Sequence, residues 1–229
     1  MEQWELLDRQ RHAGLRVSAA GDATRHFVQL VADEIVPAAL HYPVLFTRHP
    51  DTGALYAGAV MGLKPGENHA LGSDGRLPYR PADLERQGFF VSGENIAIDP
   101  AHAAFAGAGE SDPVFDMDGE PAPALHRVQA ALRRLHKGLP ETDTLLDRFM
   151  AHGLIEPIDL SFQFDDGERL RLEALYTISL DALHALPDAV VVELFRAGDL
   201  QIAYAQTGSL HHIPTLARRR NDRLAGLPA

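Results

Sequence analysis

The stretch PVLFTRHPDTGALYAGAVMGL, residues 43–63, decides the fold. Its first part, Pro43 to Thr47, is rich in the β-branched and aromatic residues that favour strands. Pro50-Asp51-Thr52-Gly53 follows, and these residue types are typical of a β-turn. The chain then returns as an apolar run from Leu55 to Leu63. Two strand-like runs joined by a short turn predict an antiparallel β-hairpin.

The same pattern occurs twice more along the chain. Ser92-Gly93 and Asp165-Asp166-Gly167 are turn sequences, and strand-like runs flank each of them. These runs are residues 89–91 with 95–98, and residues 160–164 with 170–178. The sequence therefore predicts a sheet that is rich in hairpins and mainly antiparallel.

Helical periodicity marks a segment before the first hairpin. Phe27, Leu30, Val31 and Ile35 follow an i, i+3, i+4, i+8 pattern, which is compatible with a helix over residues 27–40. Pro37 is expected to shorten or kink this helix, because proline lacks the backbone N–H that a helix interior requires.

Two helices are predicted in the middle of the chain. The first covers Leu125 to His136, where leucine and valine recur on one face. The second covers Thr142 to His152, and Gly153 is well placed to end it in a left-handed conformation. Gly138-Leu139-Pro140 lies between them and is expected to break the helical pattern.

The C-terminal part is predicted to be helical at residues 180–186, 188–196 and 210–220, whereas residues 200–204 fit a strand or a helix. Ser209 is expected to be the N-cap of the last helix, because a serine hydroxyl there accepts a hydrogen bond from a free helix amide. The basic residues that follow are expected to form the solvated end of that helix. They are Arg218, Arg219, Arg220 and Arg223.

These elements together predict an α+β fold, in which a hairpin-rich antiparallel sheet packs with helices from the middle and the C-terminus. We expect one domain over residues 1–229. Residues 106–124 are poor in large apolar residues and rich in Gly, Pro and Asp, and they are the candidate boundary inside it.

Composition excludes several classes of function. The formal net charge of −11 argues against binding to nucleic acid or to an anionic membrane surface. The absence of cysteine excludes disulfides, thiolate nucleophiles and cysteine-ligated metals. No apolar run resembles a signal peptide or a membrane span, so we expect a soluble cytoplasmic protein without membrane insertion.

Short motifs spread over most of the chain resemble one bacterial family. They are residues 42–46 (Tyr-Pro-Val-Leu-Phe), 62–63 (Gly-Leu), 66–68 (Gly-Glu-Asn), 79–82 (Tyr-Arg-Pro-Ala), 114–116 (Val-Phe-Asp), 119–121 (Gly-Glu-Pro), 186–188 (Leu-Pro-Asp), 198–200 (Gly-Asp-Leu), 202–205 (Ile-Ala-Tyr-Ala) and 209–210 (Ser-Leu). In their order and spacing these motifs are similar to those of the SapC-like family. Three positions depart from its pattern: Leu77, Gly88 and Gln206 stand where tryptophan, proline and histidine are usual.

The resemblance implies an association with a bacterial surface layer, from which the family takes its name. It also implies gene neighbours that encode flavin-dependent halogenase-like enzymes, oxygenase-like proteins and outer-membrane receptors. It supplies no catalytic residues. If the usual histidine is chemically important in relatives, Gln206 removes its acid–base and ligand capacity here.

One motif has the spacing of a metal site. His49-Pro50-Asp51 matches the His-x-Asp half of a non-haem iron triad, for which His102, His126 or His211 would have to supply the second histidine. The same residues are also good turn formers at a hairpin tip, and we favour that interpretation. No metal and no cofactor is therefore predicted.

Other candidate sites have simpler interpretations. Asp116 to Glu120 lacks the glutamate of a calcium loop, since Leu125 occupies that position, and a turn capped by an Asp side chain is expected. Adjacent His211 and His212 diverge on a helix, so one is expected to be exposed and the other partly buried. Gly107-Ala108-Gly109 precedes acidic residues, which would repel a phosphate group.

Aromatic residues within the matched motifs are the candidates for lining a ligand pocket, although aromatic residues at strand spacing usually belong to the core. They are Tyr42, Phe46, Tyr79, Phe89, Phe115 and Tyr204. No catalytic constellation is recognisable, which favours a non-catalytic binding or accessory protein beside a halogenase-like or oxygenase-like enzyme. The alternatives are a metal-dependent oxygenase that uses His49 and Asp51, and a structural protein of a surface layer.

Overall fold

The computed structural model describes residues 4–106 and 110–226. The strands are β1 (Glu5–Leu6), β2 (Arg16–Ser18), β3 (Phe27–Leu30), β4 (Val44–Arg48), β5 (Leu55–Val60), β6 (Phe89–Ser92), β7 (Asn95–Ile98), β8 (Ser111–Pro113), β9 (Ile155–Pro157), β10 (Leu160–Gln163), β11 (Arg169–Leu172) and β12 (Leu175–Ile178). The helices are α1 (Ala32–Ala39), α2 (Ala82–Glu85), α3 (Pro123–Ala151), α4 (Leu180–His184), α5 (Asp188–Ala197), α6 (Asp199–Ser209) and α7 (Ile213–Leu224).

The central element is a five-stranded antiparallel sheet with strand order β3-β5-β4-β12-β9. The hairpin predicted from residues 43–63 forms its middle, where β4 and β5 pair from Val44↔Ala59 to Arg48↔Leu55. The β6–β7 and β10–β11 hairpins are also present. The predicted α+β fold is confirmed.

One face of the sheet carries the main core. Side chains of β3, β4 and β5 alternate, and those on this inner face pack against α1, α3 and α6. The buried members include Val28, Leu30, Val44, Phe46, Ala57, Leu145, Phe149, Ile178 and Ala203. Residues from before and after the 106–124 segment therefore share one core.

A second core cluster lies where β6 and β7 meet the first turns of α3. Its buried members are Phe89, Ile98, Val114, Phe115, Leu125, Val128 and Leu132. The candidate boundary at residues 106–124 contributes to this cluster, because β8 pairs with β2 and Phe115 forms a bridge with Pro121. The boundary segment is thus packed against its neighbours in its described part.

The predicted helix over residues 27–40 is wrong in its first part. Phe27 to Leu30 is strand β3, which pairs with β5, and the helix begins only after Val31. Pro37 lies inside α1 and cannot donate to the carbonyl of Asp33, which instead accepts a hydrogen bond from Nη2 of Arg134 at 3.4 Å. The hydrogen bonds that residues 27–30 make with β5, as an edge strand of the sheet, therefore outweigh the helical spacing of their apolar residues.

The break predicted at Gly138-Leu139-Pro140 is also wrong. Helix α3 is 29 residues long and continues through Pro140 without interruption. Tertiary contacts hold the helix here. Thr142 Oγ1 donates to the Gly138 carbonyl at 2.6 Å and accepts from the Ala32 amide at 2.8 Å. Gly138 lets α3 approach α1 closely, because an added β-carbon would lie 2.6 Å from Cβ of Val31. None of the described helices is both long and apolar enough to cross a membrane.

The end of α3 follows the sequence prediction. Gly153 has φ +64° and donates to Met150, and the Leu154 amide donates to the Phe149 carbonyl. This pattern is the Schellman motif, in which a glycine takes the left-handed conformation that other residues avoid.

Two other C-terminal predictions need correction. Residues 170–178 do not form one strand, because Ala174 has φ +57° and the chain leaves β11 there to pair with β4 as β12. Ser209 does not cap the last helix: its Oγ donates to the Gln206 carbonyl and accepts from the Val44 amide at 2.9 Å. Residues 200–204, which fitted either element, are helical.

Gln206 and Ser209 connect α6 to the junction between β4 and β12. These strands share only two residue pairs, Leu175↔Thr47 and Tyr176↔Phe46. Beyond them, the buried Gln206 amide group donates to the Val44 carbonyl at 2.8 Å and accepts from the Ile178 amide at 3.0 Å. The side chain thus replaces the backbone bonds that the diverging strands do not make.

Gly138→Ala is expected to lower the free energy of unfolding by about 1–2 kcal/mol, because overpacking against Val31 exceeds the gain in helix propensity. Gly208→Ala is the matched control, since no atom lies within 4 Å of a β-carbon added there. That variant should be neutral or up to about 1 kcal/mol more stable. Urea unfolding measures both, and equal stabilisation of the two variants would contradict the close approach.

Gln206→Leu is expected to cost about 2–4 kcal/mol, because it leaves the Val44 carbonyl and the Ile178 amide buried without partners. Gln201→Leu, at an exposed position of the same helix, should change stability by less than about 0.5 kcal/mol. Thermal and urea unfolding compare the two variants. A loss at position 206 no larger than that at 201 would show that the junction does not need the amide.

Candidate functional site

The outer face of the sheet, opposite α1, α3 and α6, carries a cleft with an aromatic wall. The ring of Phe27 on β3 lies directly over Gly58 on β5, where an added β-carbon would be 2.0 Å from Phe27 Cε1. Tyr56 meets the Phe27 ring edge to face, at 5.8 Å between centroids. Both rings line two adjoining cavities, which we call the polar cavity and the apolar cavity.

The polar cavity has a volume of about 340 Å³ and lies between the β4–β5 turn and α2. Apart from the two rings, its lining includes Arg25, Gln29, His49, Thr52, Leu55, Asp83, Arg86 and Asp143. Asp83 is buried and binds two guanidinium groups, from Arg25 at 2.5 Å and from Arg86 at 2.6 Å. These arginines therefore have fixed positions at one end of the cleft.

The electrostatics of this end are dominated by burial. Burial raises the pKa of Tyr56, and the carboxylate of Asp83 adds to the effect, so the phenol stays protonated at neutral pH. In the adjoining apolar cavity, burial lowers the pKa of His26, and the charge of Arg25 lowers it further. Near neutral pH the cleft thus presents a neutral imidazole and a neutral phenol.

The apolar cavity has a volume of about 470 Å³ and lies between the sheet and the β10–β11 hairpin. Its apolar lining is Phe27, Val60, Leu63, Pro65, Leu170, Leu172 and Leu175. Lys64, Arg171 and Glu173 add charge at its edge. The hairpin forms a two-stranded sheet of its own, so this wall is not part of the main hydrogen-bonded ladder.

A charged cluster, which we call the ionic latch, fixes the tip of that hairpin. Glu168 pairs with Lys64 and, at 2.8 Å, with Arg220 of α7. Arg220 also pairs with Glu67 at 3.2 Å, and its guanidinium lies over the Phe164 ring at 4.2 Å. Lys64, Glu67, Glu168 and Arg220 thus tie one cavity wall to α7.

The latch corrects the prediction of a solvated basic end. Arg220 is only 3% exposed, and Arg219 and Arg223 donate to the backbone carbonyls of His69 and Asn68. Of the four arginines, Arg218 alone is both exposed and without a side-chain hydrogen bond or ion pair to residues 4–106 and 110–226. The three other arginines dock α7 onto the loop that follows β5.

The six aromatic candidates do not line one pocket. Phe46 belongs to the main core, Phe89 and Phe115 belong to the second core, and Tyr204 is 49% exposed on α6. Tyr42 and Tyr79 meet through a hydrogen bond, in which Tyr42 Oη donates to the Tyr79 carbonyl at 2.6 Å.

Tyr42 and Tyr79 mainly support the loop between β5 and α2. Tyr79 Oη donates to the fully buried Glu34 at 3.0 Å, and the same carboxylate accepts from the Ala82 amide. Burial raises the pKa of Tyr42 to about 12, and burial together with the Glu34 carboxylate raises the pKa of Tyr79. Both hydroxyls therefore serve as fixed hydrogen-bond groups.

The His-x-Asp motif forms the tip of the first hairpin. His49 Nδ1 accepts from the Asp51 amide at 3.2 Å, and the Asp51 side chain is 86% exposed. His102 instead accepts from the Ala104 amide. Over residues 4–106 and 110–226, no three His, Asp or Glu side chains gather in a metal-binding arrangement.

Two smaller predictions agree with the structure at least in part. Asp116 Oδ1 accepts from the amides of Asp118 and Glu120, so this segment is a turn capped by an Asp side chain. His211 is exposed and His212 is half-buried, as expected, but their ring centroids are 3.8 Å apart, so the two side chains do not diverge. Gly107-Ala108-Gly109 lies outside the described residues.

Apart from His49, which lines the polar cavity, sequence reasoning missed the residues that form the cleft. One signal was present: Tyr56 is followed by Ala57, Gly58 and Ala59, and such small residues in a strand leave room for a ring from a neighbouring strand. Arg25 carried no such signal, because it meets Asp83 only through the tertiary fold, whereas Arg86 lies three residues after Asp83 and pairs with it locally.

The latch predicts how stability depends on pH. Burial alone would raise the pKa of Glu67, but hydrogen bonds from Arg220 and His69 outweigh it and hold the value below 4.5. A carboxylate with a lowered folded pKa stabilises the protein above its unfolded pKa, and that stability is lost as pH falls through the folded value. We expect the free energy of unfolding to fall below pH 4.5 in the parent chain, and to fall less in Glu67→Gln.

Urea unfolding at neutral pH and at successive acid pH values measures this difference. The effect of the substitution that does not depend on pH is the difference in free energy of unfolding between the two proteins at neutral pH. The titration of Glu67 appears only as a difference in how steeply that free energy falls with pH. Parallel acid slopes for the parent and Glu67→Gln would contradict the role of the latch.

Comparison with known proteins identifies the family and confirms the resemblance seen in the motifs. The model of the SapC family matches residues 7–216 of the 229. Searches of the curated proteins and of the solved structures find no match to this chain. The matched region contains the whole sheet, both cavities and only the first turn of α7, which runs from Ile213 to Leu224. The chain belongs to the SapC family.

Proposed function

We propose that this chain is a binding protein that holds a small molecule in the cleft on the outer sheet face and serves a modifying enzyme as an accessory. The observation that carries the proposal is the pair of adjoining cavities that share Phe27 and Tyr56. Their volumes of about 340 and 470 Å³ lie in the range of small-molecule sites.

The lining of the cleft supports binding rather than simple packing. Apolar side chains occupy one end, and a small number of polar groups with fixed positions occupy the other, which is the usual composition of a ligand site. The T-shaped ring pair leaves an aromatic surface at the boundary of both cavities. Gly58 has no side chain, so the Phe27 ring can lie directly against the sheet.

The accessory role is supported by the family resemblance. Its gene neighbours imply a flavin-dependent halogenase-like or oxygenase-like enzyme as the partner, and we propose the cytoplasm as the compartment. The ligand in the cleft would then be the substrate or the product of that enzyme.

A metal-dependent oxygenase is the second candidate, and one observation favours it: His49 lines the polar cavity. The exposed position of Asp51 at the hairpin tip makes the binding protein the better-supported proposal. Metal analysis of the purified chain discriminates between the two, because stoichiometric iron that is lost in His49→Ala would favour the oxygenase.

The test of the proposed function is the effect of the chain on its enzyme. A flavin-dependent halogenase-like enzyme from the same organism is assayed with and without the parent chain, and the chain is expected to raise its initial rate and to co-purify with it. Tyr56→Ala should reduce the stimulation about tenfold, because it removes half of the aromatic wall.

Tyr204→Ala is the matched control, since Tyr204 is exposed on α6 and lines neither cavity. It should retain the parent stimulation. Equal stimulation by Tyr56→Ala and the parent would overturn the role of the cleft, and no stimulation or co-purification with the parent would overturn the accessory function.

A further inference from the structure

We propose that the apolar cavity takes an aromatic ligand that carries one anionic group, with the ring beside Phe27 and Tyr56 and the anion at Arg171 and Lys64. This inference rests on the proposed function and names the chemical class of its ligand. It depends on three features of the cavity: its apolar depth, its aromatic wall and the cations at its edge.

The apolar depth requires a ligand with a large apolar body. Apart from Phe27, the side chains that form it come from β5 and its following loop, from β11 and from β12. They are Val60, Leu63, Pro65, Leu170, Leu172 and Leu175. Their removal from water is favourable only if the occupant is itself apolar over most of its surface.

The aromatic wall favours a ring over an aliphatic chain. One face of Phe27 is covered by Gly58, and Tyr56 meets the same ring at an interplanar angle of 90°. A third ring in the cavity completes an offset or edge-to-face cluster, the arrangement that aromatic groups prefer.

The cations at the edge favour an anion. The charged residues that line the cavity are Lys64, Arg171 and Glu173, so cations exceed carboxylates in the lining of a chain whose net charge is −11. Glu168 and Asp159, which pair with the two cations, do not line the cavity. Burial keeps His26, which also lines the cavity, neutral near pH 7.

Arg171 is the cation that a ligand can most readily engage. It pairs with Asp159 at 3.0 Å and with Glu173 at 3.9 Å, but the three side chains are 59%, 80% and 76% exposed. Exposed pairs of this kind contribute little stability, so the guanidinium can exchange Asp159 for a ligand anion at small cost. Lys64, by contrast, is held by Glu168 of the ionic latch and provides a fixed second charge.

Two dyes with the same skeleton test the proposal. 1-Anilinonaphthalene-8-sulfonate carries one sulfonate, and N-phenyl-1-naphthylamine is its neutral counterpart. Fluorescence titration of the folded parent chain is expected to show saturable binding of both, with the anionic dye bound about tenfold more tightly, as charge-assisted hydrogen bonds imply.

Arg171→Gln should remove most of that preference and leave the affinity for the neutral dye nearly unchanged. Arg169→Gln is the matched control, because Arg169 lies on the same strand and does not line the cavity. Thr47→Trp should weaken both dyes, since Thr47 lies in the cavity wall and a tryptophan there fills the space. Circular dichroism and the unfolding midpoint establish that each variant is folded.

The outcomes separate this inference from the proposed function. Equal affinity for the two dyes, or an unchanged preference in Arg171→Gln, overturns the anionic ligand and leaves the enzyme experiment with Tyr56→Ala intact. No saturable binding of either dye by the parent also overturns it. Dye binding as expected, with no effect of the chain on its enzyme, supports the ligand class and contradicts the accessory role.

Discussion

The rest of the structure depends on the hydrogen bonds of one buried amide, that of Gln206. Strands β4 and β12 come from distant parts of the chain and share only two residue pairs before they diverge. The Gln206 amide bonds to β4 on one side and to β12 on the other, and Ser209 adds a bond to the same Val44. A buried polar group of this kind is stabilising only when its bonds are made, so the junction allows one arrangement of the two strands.

That arrangement also determines where the cleft can form. Once β12 is fixed beside β4, Leu175 lies on the outer sheet face and the preceding β10–β11 hairpin is directed over it. Arg220 then joins the hairpin tip to α7 through Glu168, and buried ion pairs of this type fix geometry more than they add stability. The two cavities are therefore formed by segments that are far apart in sequence, and the helices on the inner face support them.

Local features of the fold were predictable, and features that require long-range contacts were not. The three hairpins and the Gly153 cap follow from turn chemistry within a few residues, and each was identified. The continuity of α3 through Pro140 depends on contacts between Gly138 and Val31, which no local rule contains. Arg220 was predicted to be a solvated cation because its carboxylate partners, Glu168 and Glu67, lie 52 and 153 positions away in the sequence. The single domain stays a prediction, supported by the shared core.

The same distinction explains what family membership implies for function. Several motif residues specify the scaffold. Tyr42 and Ala205 pack in the main core, and Ser209 bonds to β4 at its junction with β12. Among the residues that line the apolar cavity, Gly62 and Leu63 belong to a matched motif, whereas Tyr56 and Arg171 lie outside the motifs. A scaffold can be retained while its lining residues change, because the lining contributes little to the junction. Members of the SapC family that share these motifs are thus expected to share the cleft and to differ in the ligand that it binds.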